Sequence, residues 1–168
     1  MSDREAEYRE FVAAQLEPLR GLAYLACGDW QTAEDVTLTV LARLYAKWHR
    51  IDNLPAYARA AVVRAAIDET RRPWWRRERW GGAPLPEPVV PDQTGAVHDR
   101  LELHRALLRV PPRHRAVLVL RYLEGLSVQQ TAAALRCPEG TVKVYTARGL
   151  DTLRRILGVD LEERHAAV

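Results

Sequence analysis

Apolar residues recur at three- and four-residue spacing along most of the chain, the period of an α-helix with one buried face. Over residues 3–26 they are Tyr8, Phe11, Val12, Leu19, Leu22, Ala23 and Ala26. This spacing predicts a first helix, loosened in its middle by Pro18 and ended by Gly28-Asp29. Asp29 and Thr32 are both candidate caps for a second helix reaching about residue 48, with Val36, Val40, Leu44 and Trp48 four apart. The two helices should pair antiparallel. After the Asp52-Asn53-Leu54-Pro55 break, a third helix is predicted over residues 56–72, small and apolar through Ala60, Ala61, Val62, Ala65 and Ala66. The pattern then fails over residues 81–96, where four prolines, three glycines and two acids show no periodicity, as in an extended linker. It resumes at residue 97 with Leu101, Leu103, Leu107 and Leu108, stops at Pro111-Pro112, and predicts another helix over residues 113–123.

Two further helices are predicted within residues 126–155. Ser127 followed by Gln130 forms a capping box at the start of a short helix whose Ala132, Ala133 and Ala134 lack bulk, with Leu135 as its apolar anchor. Pro138 suits the first turn of the next helix, and Glu139 complements the positive end of its dipole. In that helix Val142, Thr146, Gly149, Leu150, Leu153 and Leu157 form a stripe to be buried. The opposite face carries Thr141, Lys143, Val144, Tyr145, Ala147 and Arg148, and Arg136 precedes it in the turn. Cations, hydroxyls and small apolar groups in one surface suit phosphates, base edges and thymine methyls. These features read as a DNA-binding helix-turn-helix, with an ordinary helical hairpin as the alternative. The expected fold class is all-α, organised as two small helical domains, 1–80 and 97–160, joined by the flexible Pro-rich linker 81–96 and followed by a frayed tail, 161–168.

Charge sharpens the DNA reading. The formal net charge is only +3, yet residues 1–50 hold 6 Lys/Arg against 8 Asp/Glu, residues 56–80 hold 7 against 3, and residues 101–157 hold 10 against 4. Two basic blocks beside an acidic one fit a polyanion met at two places and another partner met at the N-terminal part. Within residues 71–80, five arginines and three tryptophans crowd ten positions. Guanidinium groups meet phosphates and indoles stack on bases, although indoles can equally serve a bundle core. Cys27 and Cys137 are too far apart and too few for a disulfide framework or a zinc site, and read as small apolar groups. The charged start MSDREAEYRE and the want of any membrane-length apolar run imply a cytoplasmic protein.

The pieces in this order resemble the extracytoplasmic-function (group 4) sigma factors of bacterial RNA polymerase, in the sigma-70 family, over residues 5–157. They are Ala33-Glu34-Asp35-Val36, Tyr57 through Trp74-Trp75-Arg76-Arg77, Pro111-Pro112-Arg113-His114-Arg115-Ala116-Val117, Leu120-Arg121-Tyr122 and Gly140-Thr141-Val142-Lys143. The resemblance implies sigma domains 2 and 4. Glu34, Asp35 and Leu38 would dock on the clamp helices of the largest polymerase subunit, with Leu38 standing where the family usually has glutamine. Arg64, Arg71, Arg72, Trp74, Trp75, Arg76 and Arg77 would recognise and melt the minus-ten element, Arg64 standing where asparagine is common. Arg136, Thr141, Lys143, Val144, Tyr145, Ala147 and Arg148 would read the minus-thirty-five element while domain 4 holds the polymerase flap. Core RNA polymerase and promoter DNA are the implied partners, an anti-sigma factor is a further one common in the family, and no membrane or small-molecule substrate is implied.

No cofactor, metal or catalytic residue follows from this reading. His49, His98, His104, His114 and His165 fall at no metal-binding spacing and no phosphate-cradling glycine loop occurs, so an enzyme acting on nucleic acid is poorly supported. A stand-alone helix-turn-helix regulator accounts for residues 126–155 but leaves the Trp/Arg run and the linker without a purpose. An interaction module mimicking such a factor is opposed by the basic recognition face.

Overall fold

The computed structural model describes residues 2–71 and 95–158, and among these every regular element is helical. The chain divides into two compact units, Met1–Gly81 and Gly82–Val168.

The first unit is built from three helices, each opened by a side-chain cap. Helix α1 spans Asp3–Cys27, with Ser2 Oγ accepting from the Glu5 amide at 3.3 Å. It runs unbroken through Pro18, where a loosening was expected, and ends at Gly28 in the left-handed region (φ 73°). The Gly28 N–H donates to Tyr24 O at 2.6 Å, a closure a side-chain-bearing residue would make under strain. Asp29 then caps α2, Trp30–Lys47, its Oδ2 accepting from the Thr32 amide at 2.9 Å and the Thr32 hydroxyl at 2.6 Å. Two residues between helices allow no path except a reversal. A short 3₁₀ turn, Trp48–Arg50, finishes α2, and Asn53 Oδ1 caps α3, Leu54–Thr70, at the Ala56 amide. Helix α3 thus starts two residues before the predicted point because Pro55, which needs no amide partner, lies in its first turn.

Helix α3 is the most enclosed of the three. Ala58, Ala61, Val62, Val63, Ala66 and Ile67 are buried in it, as are Leu19, Leu22 and Ala23 in α1 and Val36, Val40 and Leu44 in α2, and both of those helices pack on α3. Its many alanines let α1 and α2 approach closely, and burial on more than one side blurs the single stripe expected of a surface helix. At the other end of the α1–α2 pair the Tyr8 hydroxyl donates to Leu41 O, and Tyr8 and Phe11 pack edge-on against Trp48, both at 5.3 Å between centroids.

The second unit contains α4 (Gly95–Leu108), α5 (Pro112–Leu118), α6 (Val128–Leu135) and α7 (Glu139–Leu157). Residues 119–123, expected to continue α5, form a wider π-helical turn, with Glu124 N donating to Val119 O at 3.1 Å. That turn holds adjacent Val119 and Leu120 wholly buried and leaves Tyr122 and Leu123 exposed. Two apolar clusters hold the unit. One joins Leu107, Val110 and Leu118 to Leu103, Leu150, Leu153 and Ile156; the other joins Val117, Ala132 and Val142 to Val128, Leu135, Cys137 and Tyr145. Arg115 is buried between α4 and α5, where its guanidinium donates to Leu108 O at 2.9 Å and Val110 O at 3.2 Å. It satisfies carbonyls at the end of α4 and so fixes the Pro111-Pro112 corner.

Candidate nucleic-acid interface

The capping box that opens α6 is complete: the Gln130 amide donates to Ser127 Oγ at 3.0 Å, and the Ser127 amide donates to Gln130 Oε1 at 2.9 Å. Helix α6 ends at Arg136, which takes the left-handed conformation (φ 55°) without being glycine. Its side chain is exposed in the turn. Pro138 lies one position earlier than expected, as the residue flanking α7, and the helix begins at Glu139. Three residues therefore separate α6 from α7, and the Val117–Ala132–Val142 cluster ties α5, α6 and α7 together as a helix-turn-helix.

The face of α7 divides differently from the predicted one. Lys143, Val144, Ala147 and Arg148 are exposed, whereas Thr141 is half-buried and Tyr145 turns inward. Tyr145 leaves the outer face because α5 offers it a partner: its ring lies 4.7 Å from the His114 ring at 48°. Of the predicted buried stripe, Val142 and Gly149 are enclosed, and Thr146, Leu150, Leu153 and Leu157 are half-buried. Ile156, absent from that stripe, packs with Leu150 and Leu153. A β-carbon at Gly149 would stand 3.0 Å from Leu118 Cδ1 and 3.4 Å from His114 Cβ, so α7 crosses closely over α5 at Gly149. Sequence reasoning gave the small-residue role to the alanines of α6 and did not single out His114, which no local pattern marks.

His114 sits at this crossing with its Nδ1 buried and lacking a hydrogen-bond partner among the described residues. Loss of hydration lowers its pKa below the ordinary 6.5, and the nearby Arg148 guanidinium lowers it further. Cys137, in the turn, is half-buried with its thiol pKa pushed up by burial, the opposite of an activated nucleophile.

In the first unit, Glu34, Asp35 and Leu38 are all exposed on α2, with Leu38 at 49 %. They occupy one face because positions three and four apart on a helix are neighbours. A cleft between α2 and α3 opens beside them, lined by Asp35, Arg43, Asp68 and Glu69 together with Thr32 and Thr39. Arg64 is half-buried in α3, and Arg71 is exposed at its C-terminal end. Arg72, Trp74, Trp75, Arg76 and Arg77 lie outside the described residues, as do most of the linker and the tail. Among the described residues no cluster of His, Cys, Asp or Glu could hold a metal ion, and no helix is long and apolar enough to cross a membrane.

Comparison with known proteins assigns the two units separately. Residues 11–76 match Sigma-70 region 2, and residues 100–153 match Sigma-70, region 4. The RNA polymerase sigma-E factor of Streptomyces coelicolor is 34 % identical over 165 residues, taking in 94 % of this chain and 90 % of the relative. The ECF RNA polymerase sigma factor SigL of Mycobacterium tuberculosis is 36 % identical over 141 residues, or 79 % of this chain and 80 % of the relative. In fold, the chain is similar to the sigma factor RpoE from Bartonella quintana, solved in complex with the anti-sigma factor NepR. The TM-score is 0.69 at 23 % identity, covering 92 % of this chain and 98 % of that one. With both sigma regions present in order and relatives matching along nearly its full length, the chain belongs to the extracytoplasmic-function sigma factors, the sigma-70-family transcription initiation factors that direct RNA polymerase to promoters.

Proposed function

We propose that this sigma factor divides promoter recognition between its units, with residues 1–80 docking on polymerase and opening the minus-ten element and residues 97–160 reading the minus-thirty-five element. The observation that carries the reading is the presence of two exposed faces of opposite character, one on each unit: acidic and apolar Glu34, Asp35 and Leu38 on α2, basic and small Lys143, Val144, Ala147 and Arg148 on α7. An acidic face repels DNA and suits a protein partner, here the clamp helices of the largest polymerase subunit. Leu38 makes that contact partly apolar, where a glutamine would make it polar. The other face suits phosphates and base edges, and the polymerase flap is the protein contact of the same unit.

Melting falls to the C-terminal end of α3 and the basic-aromatic run beyond it: Arg64, Arg71, Arg72, Trp74, Trp75, Arg76 and Arg77. Unstacking a base step costs about a few kcal/mol. Stacking of the freed bases on indoles and pairing of phosphates with guanidinium groups offset that cost. Nucleotide addition is left to the polymerase. The NepR complex of RpoE supports an anti-sigma factor as a further partner of this chain.

Run-off transcription with purified bacterial core polymerase on a library of upstream regions tests the reading. Specific transcripts are expected only when the chain is added. Glu34→Lys with Asp35→Lys should abolish assembly with core, while Trp74→Ala with Trp75→Ala should spare assembly and remove permanganate-reactive thymines at the start site. Lys143→Ala with Arg148→Ala should spare both and lower use of the upstream element alone. A chain that shifts a defined duplex by itself but neither binds core nor initiates would instead be a stand-alone regulator.

A further inference from the structure

We propose that reading of the minus-thirty-five element includes an apolar contact, in which the exposed isopropyl group of Val144 is set against a thymine 5-methyl in the major groove. The inference rests on the reading that α7 enters that groove, and it assigns one methyl contact to one side chain.

The fold leaves few other candidates on the outer face of α7. Tyr145 is withdrawn into the Val117–Ala132–Val142 cluster and packed on the His114 ring. Lys143 is a point charge on a flexible stem, well suited to a phosphate but poorly directional toward a base edge. Arg148 is exposed and suits a phosphate or a guanine edge, neither of which reads a methyl. For a methyl, the large exposed apolar side chain on this face is Val144, at 44 %. An exposed valine is a poor choice for helix stability, because its branched side chain loses rotamer freedom against the preceding turn. In a binding surface the same stiffness is useful, since one fixed rotamer loses little entropy on contact.

Neighbouring positions let the valine reach a base. Gly140 precedes it by four residues and Ala147 follows by three, so both share its side of the helix. A β-carbon at Gly140 would meet nothing within 4 Å, so packing within the protein does not call for glycine there. Bare backbone one turn before Val144 and a single methyl one turn after it let the helix sink until the valine is the first side chain to touch. In the major groove the exposed apolar group of a base pair is the thymine methyl.

The test uses holoenzyme assembled from core polymerase and the full chain, on the promoter that run-off transcription identifies. Each thymine of the upstream element is replaced in turn by deoxyuridine, which removes the methyl and leaves every hydrogen-bonding group. At one position uracil is expected to weaken promoter binding about fourfold, the worth of one buried methyl-sized group. Val144→Ala should bind the thymine and uracil promoters equally, at the weaker level. With cytosine placed there, 5-methylcytosine should restore part of the loss in the wild type and none in Val144→Ala. Wild-type binding that is indifferent to uracil at every position, while a scrambled upstream element still weakens it, would overturn the inference and leave the placement of α7 standing. Methyl sensitivity that survives in Val144→Ala would also overturn it. No effect of scrambling would overturn the placement of α7, and the inference with it.

Discussion

His114 shows how a single residue links the core of the second unit to its outer face. On α5, its ring supports Tyr145 and its β-carbon lies beside Gly149 of α7. Folding takes the imidazole out of water and brings it near Arg148, and both effects disfavour the protonated form. The folded pKa is therefore below 6.5 and the unfolded chain binds the proton more readily. By linkage, the stability that depends on a neutral His114 is full above the unfolded pKa and is lost as the pH falls from there through the folded pKa. Urea denaturation of the full chain between pH 7.5 and pH 5 is expected to show wild type losing stability faster than His114→Gln. Parallel pH profiles for the two proteins would exclude His114 as the titrating group. The direction matters for function too, since a charged imidazole would push against Arg148 on the face proposed to meet DNA.

At the scale of the element, the helix-turn-helix depends on local chemistry that was written in the sequence and on nonlocal contacts that were not. The capping box belongs to the first kind. Ser127→Ala removes the acceptor for the Gln130 amide and should cost about 1 kcal/mol of stability in the second unit, measured by chemical denaturation. Ser127→Asp should recover most of it, because aspartate also accepts at an N-cap; if the alanine and aspartate variants match wild type, the cap contributes nothing. Ser2, Asp29 and Asn53 act by the same rule, although of these only Asp29 reads as a cap from the sequence. The existence of the helices was legible because each carries its own three-and-four spacing. Their ends were less so: Pro18 bends a sequence argument but not α1, and Pro55 and Pro138 each fell one or two places from their expected roles. What sequence could not supply was the choice between faces. Tyr145 could face DNA or core by its spacing alone, and the His114 ring, contributed by another helix, decided for the core. In the same way, Gly149 reads as one more small residue until Leu118 is found against it. Glu34, Asp35 and Leu38 are marked out by the family resemblance and not by helix spacing alone; Arg43, Asp68 and Glu69 share the neighbouring cleft only through the packing of α3 on α2.

Across the whole molecule, charge and tethering explain why two weak surfaces suffice. Residues 1–50 carry 6 Lys/Arg against 8 Asp/Glu and residues 101–157 carry 10 against 4, so a free chain meets DNA mainly through phosphate contacts that salt weakens steeply. Bound to polymerase, the second contact becomes intramolecular and gains an effective concentration set by the segment between the units. In the proposed division of labour that segment is residues 81–96. Effective concentration falls roughly as the −3/2 power of tether length once the span is exceeded, so doubling the tether lowers it about threefold. Duplicating residues 81–96 in the full chain should therefore reduce transcription about threefold at a promoter that needs both elements and leave core binding unchanged. At a promoter whose upstream element has been scrambled, the same insertion should have no effect, since the tethered contact no longer contributes. If instead both promoters lose activity together and by much more than threefold, the segment does more than join the units. Its path along the polymerase would then fix its length, and the two contacts would not be independent.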